Sequence, residues 1–533
     1  MAPTNVTRVL AILMISFFSV SCATYQFRSD YRDANSLLHE TGKLETKPFL
    51  KAHLRNGDVI ILTDSWTLDT AGKYLSGNGI TYDFSRSRLD SGYVSIPFSN
   101  IAIFETNTKI IHPEAGRLTA LAILTGIDIV FGIICITNPK ACFGSCPTFY
   151  IHPDQNFHYA DAEAFSNAIA PALECNDIDA LGDETFAGGR FLLTMKNEAL
   201  ETHCVREVKL LACPCPEDAP VVQTTDNHFY QIRASYPLSE ARAAEGIVTN
   251  LLETRDQQER FSLADDKNMR SKEEIVLNFE NVKNPGQLGL LLHFRQTLMT
   301  TYLIYSALGY MGDQVSDGIA HFETNPALMK NLNEGIRKQL GAIEVHFWND
   351  KTRNWEYQGG FFEVGPIAIN RQCLPVQTDG PSTTVRLKLV MNKGLWRIDY
   401  ASLISLGQEI KPVEIRPDSI LKTGLPQEPD IKQRTEPGEL LISMPGDQYA
   451  LYFSLPAEEQ RYSLFLSAKG YYLEWMRESW LREKNPAKLR QMVIRPKRYL
   501  KSEIKKYKRY ESTMEPAFWD SKVAPGTFSF NSR

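Results

Sequence analysis

The chemistry-bearing residues of this chain gather near its middle. The tightest group is Cys142-Phe143-Gly144-Ser145-Cys146-Pro147. Two thiols with Gly144 and Ser145 between them can close a small disulfide loop, exchange disulfides or hold a metal. The spacing is C-x3-C, not the C-x2-C of thiol–disulfide oxidoreductases. A disulfide across so short a loop removes little chain entropy, so its use would be to fix one backbone shape. A structural loop is therefore the first reading of Cys142 and Cys146, and a redox or metal role is the alternative. A second group is Glu198, Glu201, His203, Cys204, Cys213 and Cys215. Cys-x-Cys beside histidine and carboxylates invites a metal. In a strand, however, Cys213 and Cys215 would stand about 7 Å apart on one face, and His203 and Cys204 on opposite faces. Disulfides fit that pattern better than a shared metal, so no metal or cofactor is assigned.

Signatures of known enzyme classes do not occur. The chain has no G-x-S-x-G, H-E-x-x-H, Walker A or dinucleotide-binding fingerprint. Gly77-Asn78-Gly79 reads as a hairpin turn. Asp265–Asp266 and Glu273–Glu274 read as solvated faces, not an acid–base dyad. No catalytic residue is assigned, and an envelope hydrolase with an unrecognised dyad is the weakest alternative.

The N-terminus conditions how the cysteines are read. Residues 1–22, MAPTNVTRVLAILMISFFSVSC, carry Arg8, an apolar run too short to span a bilayer comfortably, small residues Ser19 and Ser21, and then Cys22. This resembles a bacterial lipoprotein signal, with Ser19 where such signals usually carry Leu. The resemblance implies that Cys22 becomes the lipidated first residue, and that Ala23 after it directs the protein to the outer membrane. Plain secretion and an uncleaved anchor are the alternatives. Export leaves eight other cysteines in an oxidising compartment: Cys135, Cys142, Cys146, Cys175, Cys204, Cys213, Cys215 and Cys373. An even set there favours disulfides, and seven of the eight lie between 135 and 215.

The elements that must position these residues read as mainly β with inserted helices (α+β). Residues 1–22 are the signal peptide and 23–48 a tether. Residues 49–108, with Asn56–Gly57 as a hairpin turn, resemble a small Sm-like or SH3-like barrel. Residues 109–220 hold an apolar stretch, 118–136, and a disulfide-stapled β domain. Asp128 near the middle of that stretch disfavours a membrane span, leaving a buried helix or one at the membrane surface. Residues 221–480 read as a β-sandwich-like region with helices over 287–310 and Pro326–Leu340, and 481–533 as a basic tail. Lys484 to Arg509 carries eleven Lys or Arg against Glu503 alone. A solvated helix face is one reading; attraction to anionic lipid head groups or lipopolysaccharide phosphates is the other.

Composition sets the outer limits. The chain of 533 residues is 43% hydrophobic and 23% charged, which excludes wholesale disorder, collagen and a simple coiled coil. Its net charge of −5 shows no global footprint for nucleic acid. NPKACFGSCPTFY, AFSNAIAPALE, NEALETH, WRIDYASL and AKGYYLEW resemble segments of an uncharacterised group of bacterial envelope proteins with a C-F-G-[ST]-C-P motif. The group has no known activity, so the resemblance implies no catalytic residue. The expectation is a cell-envelope lipoprotein of the outer membrane or periplasm. It would bind or scaffold a protein or glycan partner without catalysis, held to the membrane through Cys22. A thiol–disulfide or metal protein using Cys142 and Cys146 is the alternative.

Overall fold

The computed structural model describes residues 25–28, 50–63, 66–69, 71–83, 88–111, 146–152, 159–182, 184–215, 217, 219–283, 286–362, 365–378, 383–423, 432–433, 440–456 and 460–525. The signal peptide, most of the tether, the apolar stretch 118–136, and Cys22, Cys135 and Cys142 lie outside them. The protein is mainly β, 49% strand against 20% helix, so antiparallel sheets rather than helices set its plan.

The first module is a bent seven-stranded sheet. Its hairpin Leu50–Leu54/Val59–Leu62 turns at Gly57, whose φ of 89° is in the left-handed region where a side chain would be strained. A single 3-10 turn, Phe98–Asn100, leads from Arg88–Pro97 into Ile101–Ile111, which returns to pair with Leu50–Leu54. Leu50, Ala52, Ile60, Leu62, Leu75 and Ile96 fill the concave side. Alternation then sends Lys51 and His53 to the other face, where both are buried against the rest of the molecule.

Two sandwiches follow, and one is inserted into the other. The outer sandwich pairs Gly189–Lys196 with Gln448–Leu455 in one sheet, and Glu201–Pro214 with Arg461–Glu474 in the other. The strands between these halves, within residues 221–409, build two further six-stranded sheets that face each other across their own core. The linear boundary expected near 220 therefore separates strands that are hydrogen-bonded partners. Strands from 413 onward return to the sandwich begun at 148. In the long Glu201–Pro214 pairing, a bulge falls between Val205 and Glu207. The bulged Arg206 reaches out to Glu174 and to the Gly57 carbonyl, tying the first module to the outer sandwich.

Among the described residues seven helices form a layer: α1 (Met299–Met311), α2 (Val315–Glu323), α3 (Pro326–Leu340), α4 (Glu478–Leu481), α5 (Pro486–Ile494), α6 (Pro496–Tyr507) and α7 (Glu511–Trp519). Helices α1, α3, α5, α6 and α7 share the inserted sandwich's core, and α2 and α4 pack with α1 in a second apolar cluster. The expected helix at Pro326–Leu340 is present. Asn325 caps it by accepting from the Leu328 amide at 3.2 Å, and Asn485 caps α5 in the same way from Lys488 at 3.0 Å. Asn before Pro sets both starts. The helix expected over 287–310 is divided. Leu288–Gln296 is a fully buried central strand, and the helix begins only at Met299. An apolar run buried on both faces lacks the alternation that would distinguish strand from helix.

The segment expected as a basic tail is part of this layer. Tyr499, Leu500, Ile504 and Tyr507 of α6 are buried, and Tyr302 and Tyr310 of α1 donate to the buried Glu503 carboxylate at 2.8 and 3.1 Å. Among the described residues no helix is long and apolar enough to cross a membrane.

Candidate functional site

The second half of the C-F-G-S-C-P motif lies at the seam between the two sandwiches. Cys146, 1% exposed, has a left-handed backbone (φ 48°) just before the strand Thr148–Tyr150. Its Sγ is 3.4 Å from Ser166 Oγ, and Ser166 Oγ donates to Glu163 Oε1 at 3.1 Å. Glu163 Oε2 accepts from the Ile367 amide of the inserted sandwich at 2.8 Å. Gly365, at φ 144°, passes so close that a Cβ there would collide with the Glu163 carboxylate. Ser166 and Tyr472 on one side, with Thr300, Thr301, Tyr305 and Pro366 on the other, leave a cavity of about 20 Å³. That is room for about one water molecule.

A buried polar row continues from this cavity. His203 and Glu201 are fully buried, with His203 Nε2 2.8 Å from Glu201 Oε1. Across the ladder they stand opposite Tyr472 and Glu474. Arg477 pairs with Glu474 and stacks on Trp480, 4.5 Å from its ring centre. Burial pushes the Arg477 guanidinium below its ordinary range, partly offset by Tyr305 and Glu201. Glu201 Oε2, His203 Nδ1 and Glu474 Oε2 have no hydrogen-bond partner among the described residues. A histidine–carboxylate pair is chemically fit for proton transfer, but only where a substrate can come within hydrogen-bond reach. Here both groups are enclosed.

The second sequence constellation is dispersed. Glu201 and His203 stay together. Glu198 accepts from Thr148 Oγ1 at 2.9 Å and Tyr150 OH at 2.6 Å, with Lys522 nearby. Cys204 faces away into the outer sandwich's core. Cys213 lies in a small apolar cluster with Leu211, Val221, Phe229 and Phe465, and burial pushes its thiol well above the ordinary range. Cys215 Sγ is 3.3 Å from Ser463 Oγ. Among the described residues no group of three or more His, Cys, Asp or Glu is disposed to hold a metal.

The stapled domain needs correction. No disulfide joins any two of the described cysteines. Cys213 and Cys215 sit two apart at the end of an extended strand, a separation of about 7 Å that a bridge does not span without backbone movement. Cys175 and Cys204 lie on different strands, each opposite another residue type, Gly470 and Tyr471. Cys373 belongs to the inserted sandwich, where the missing side chain of Gly289 makes room for its sulfur. Packing and buried hydrogen bonds, not these thiols, hold the seam. A Cys142–Cys146 bridge falls outside the described residues.

One seam carboxylate reports on pH. Asp177 accepts from the amide of Phe165, itself left-handed (φ 46°), at 2.8 Å and from Ile178 at 3.1 Å. Burial pushes its carboxyl up to about 6, against these two amide bonds. A raised carboxyl favours the protonated native state, so its stabilisation is full below about pH 4 and lost as pH rises through about 6. Asp177→Asn is expected to remove this decline. Urea unfolding at pH 4 and pH 7 checks it; an unchanged slope between the two would refute it.

An open feature lies on the helical layer. Of the eleven cations from Lys484 to Arg509, four have acidic partners: Lys484–Asp313 at 2.8 Å, Lys488–Glu503 at 3.0 Å, Lys506–Glu483 at 3.3 Å and Lys508–Glu511 at 2.6 Å. The other seven, Arg490, Arg495, Lys497, Arg498, Lys501, Lys505 and Arg509, are exposed.

Compared with known proteins, the chain matches no family model, no curated protein and no solved structure. Residues the sequence did not single out, Glu163, Ser166, Tyr305, Tyr472 and Arg477, make up most of the seam. Ser166 lies inside AFSNAIAPALE, one of the stretches quoted for the envelope-group resemblance.

Proposed function

We propose that the protein is an exported cell-envelope lipoprotein, anchored through Cys22, that binds or scaffolds a partner rather than catalysing a reaction. The observation that carries this reading is that its chemistry-bearing groups serve as joints. Cys146, Glu163, Glu201 and His203 are 2% exposed or less, and Ser166 and Tyr472, which line the one-water cavity, are the neighbours of Cys146 and Glu163 and of His203. An enzyme's groups must meet substrate; these meet each other and the backbone. The envelope-group resemblance and the signal-like N-terminus support a location in the outer membrane or periplasm. The first module, with its returning strand and 3-10 turn, is read as an SH3-like half-barrel.

The test separates this reading from the thiol–disulfide one. A maleimide applied to the folded protein should leave Cys146, Cys213 and Cys215 unmodified for hours, and should label them once urea is added. Rapid native labelling of Cys146, or turnover of peptide, ester or glycan substrates by the purified protein, would overturn the binding reading.

A further inference from the structure

We propose that the exposed face of α5 and α6, extended by α3, is a docking surface for an anionic phospholipid bilayer. This deepens the reading of a membrane-tethered protein, but it rests on side chains of three helices, not on the lipid at Cys22. Lys497, Lys501 and Lys505 recur every four residues on α6, with Arg498 beside them. Tyr499, Leu500, Ile504 and Tyr507 occupy the opposite, buried face. Arg490, Arg495 and Arg509 continue the exposed row. The acid within this run, Glu503, is buried and satisfied by Tyr302, Tyr310 and Lys488. The α3 helix, packed against α5 and α6, adds exposed Lys330, Arg337 and Lys338 against one exposed acid, Glu334. On the exposed positions of these three packed helices cations thus outnumber acids, in a chain whose net charge is −5.

Two observations favour a bilayer over another polyanion. Ile494, 53% exposed, stands within the cationic row, where an apolar side chain can enter the head-group boundary. The aromatic side chains of α6 that could stack on bases, Tyr499 and Tyr507, are instead buried in the protein. Because the apolar face of α6 is taken up by α1, contact is peripheral and electrostatic, each Lys or Arg contributing about 1 kcal/mol near an anionic surface.

The experiment uses residues 22–533 with Cys22→Ala, so that neither a lipid on Cys22 nor the apolar run before it contributes. Sedimentation with phosphatidylglycerol-containing vesicles should show binding that weakens as salt rises, and little binding to phosphatidylcholine alone. Lys497→Gln/Lys501→Gln/Lys505→Gln should weaken it on the order of 100-fold, three losses of about 1 kcal/mol each. Arg190→Gln/Arg353→Gln/Lys411→Gln, an equal charge change on exposed sandwich positions, should leave it within about threefold. Equal loss in both triples, equal binding to neutral vesicles, or capture of a DNA duplex without vesicle binding would each overturn the proposal. Failure of vesicle binding would leave the lipidation of Cys22 and the closed seam untouched.

Discussion

Replacing Lys51 with methionine is expected to destabilise the protein by about 3–5 kcal/mol, because it leaves two buried carboxylates without their cation. Lys51 Nζ lies 3.0 Å from Glu105 and 2.6 Å from Glu323 of α2, and all three side chains are 4% exposed or less. His53 extends the cluster, 3.2 Å from Glu105 and 2.7 Å from the Tyr471 hydroxyl. The first module, the helical layer and the outer sandwich therefore meet at one polar joint. Burial pushes the Glu323 carboxyl up, Lys51 draws it down and Glu105 raises it again. Without Lys51, burial and Glu105 favour protonation of Glu323, opposed by the backbone hydrogen bond from Ala172. Urea unfolding measures the loss, and adding Glu105→Gln and Glu323→Gln should restore most of it by removing the orphaned charges. A single Lys51→Met variant as stable as the parent would mean that the joint carries no load.

Arg295→Ala is expected to cost a similar amount, about 3–5 kcal/mol, at the other end of the helical layer. The Arg295 guanidinium, on a central strand of the inserted sandwich, contacts Glu259 at 2.5 Å, Glu515 of α7 at 2.5 Å and the Pro366 carbonyl at 3.2 Å. Its face also covers Tyr159. Arg397 reaches the same two carboxylates, so some pairing survives. What is lost is the bidentate contact to Glu259 and the single bond to Glu515 that helps hold α7 to the sheet. Burial raises the Glu515 carboxyl, but Arg295 and Arg397 outweigh it and hold it below its ordinary range. Such a group stabilises above its unfolded pKa of about 4.5 and loses that contribution as pH falls through its lowered native value. Arg295→Ala should therefore flatten the acid limb of the stability curve as well as lower the plateau. Arg295→Lys should recover little, since an ammonium cannot reproduce the planar fork. Full recovery by lysine, or faster hydrogen exchange nowhere in α7, would contradict this account.

Legibility in the sequence followed the range of the interactions. The Asn56–Gly57 hairpin and the Asn-Pro helix starts at 325 and 485 are local signals, and each marks a real turn or cap. The cationic run 484–509 was readable as charge. Its integration into a helical layer depended on Glu503 finding Tyr302 and Tyr310 some 200 residues away. Nesting was not readable at all. Glu201–Pro214 and Arg461–Glu474 are each plausible edge or core strands alone, and only their mutual pairing reveals that 221–409 is an insertion. The seam suffers the same difficulty. Cys146 was conspicuous because cysteines are few, but Ser166, Glu163 and Arg477 become special only when distant segments bring them together. An even count of cysteines implies disulfides only if the fold places them face to face; Cys213 and Cys215 share one apolar cluster but sit two apart along an extended segment, and Cys373 lies in another cluster.

Intact mass spectrometry of the membrane-extracted protein tests the central reading most directly. The reading predicts a chain that begins at Cys22, carries an acyl-modified cysteine there, and gains no reactive thiol at Cys146, Cys213 or Cys215 until it is unfolded. A soluble chain that retains residues 1–21, with an unmodified Cys22, would contradict it.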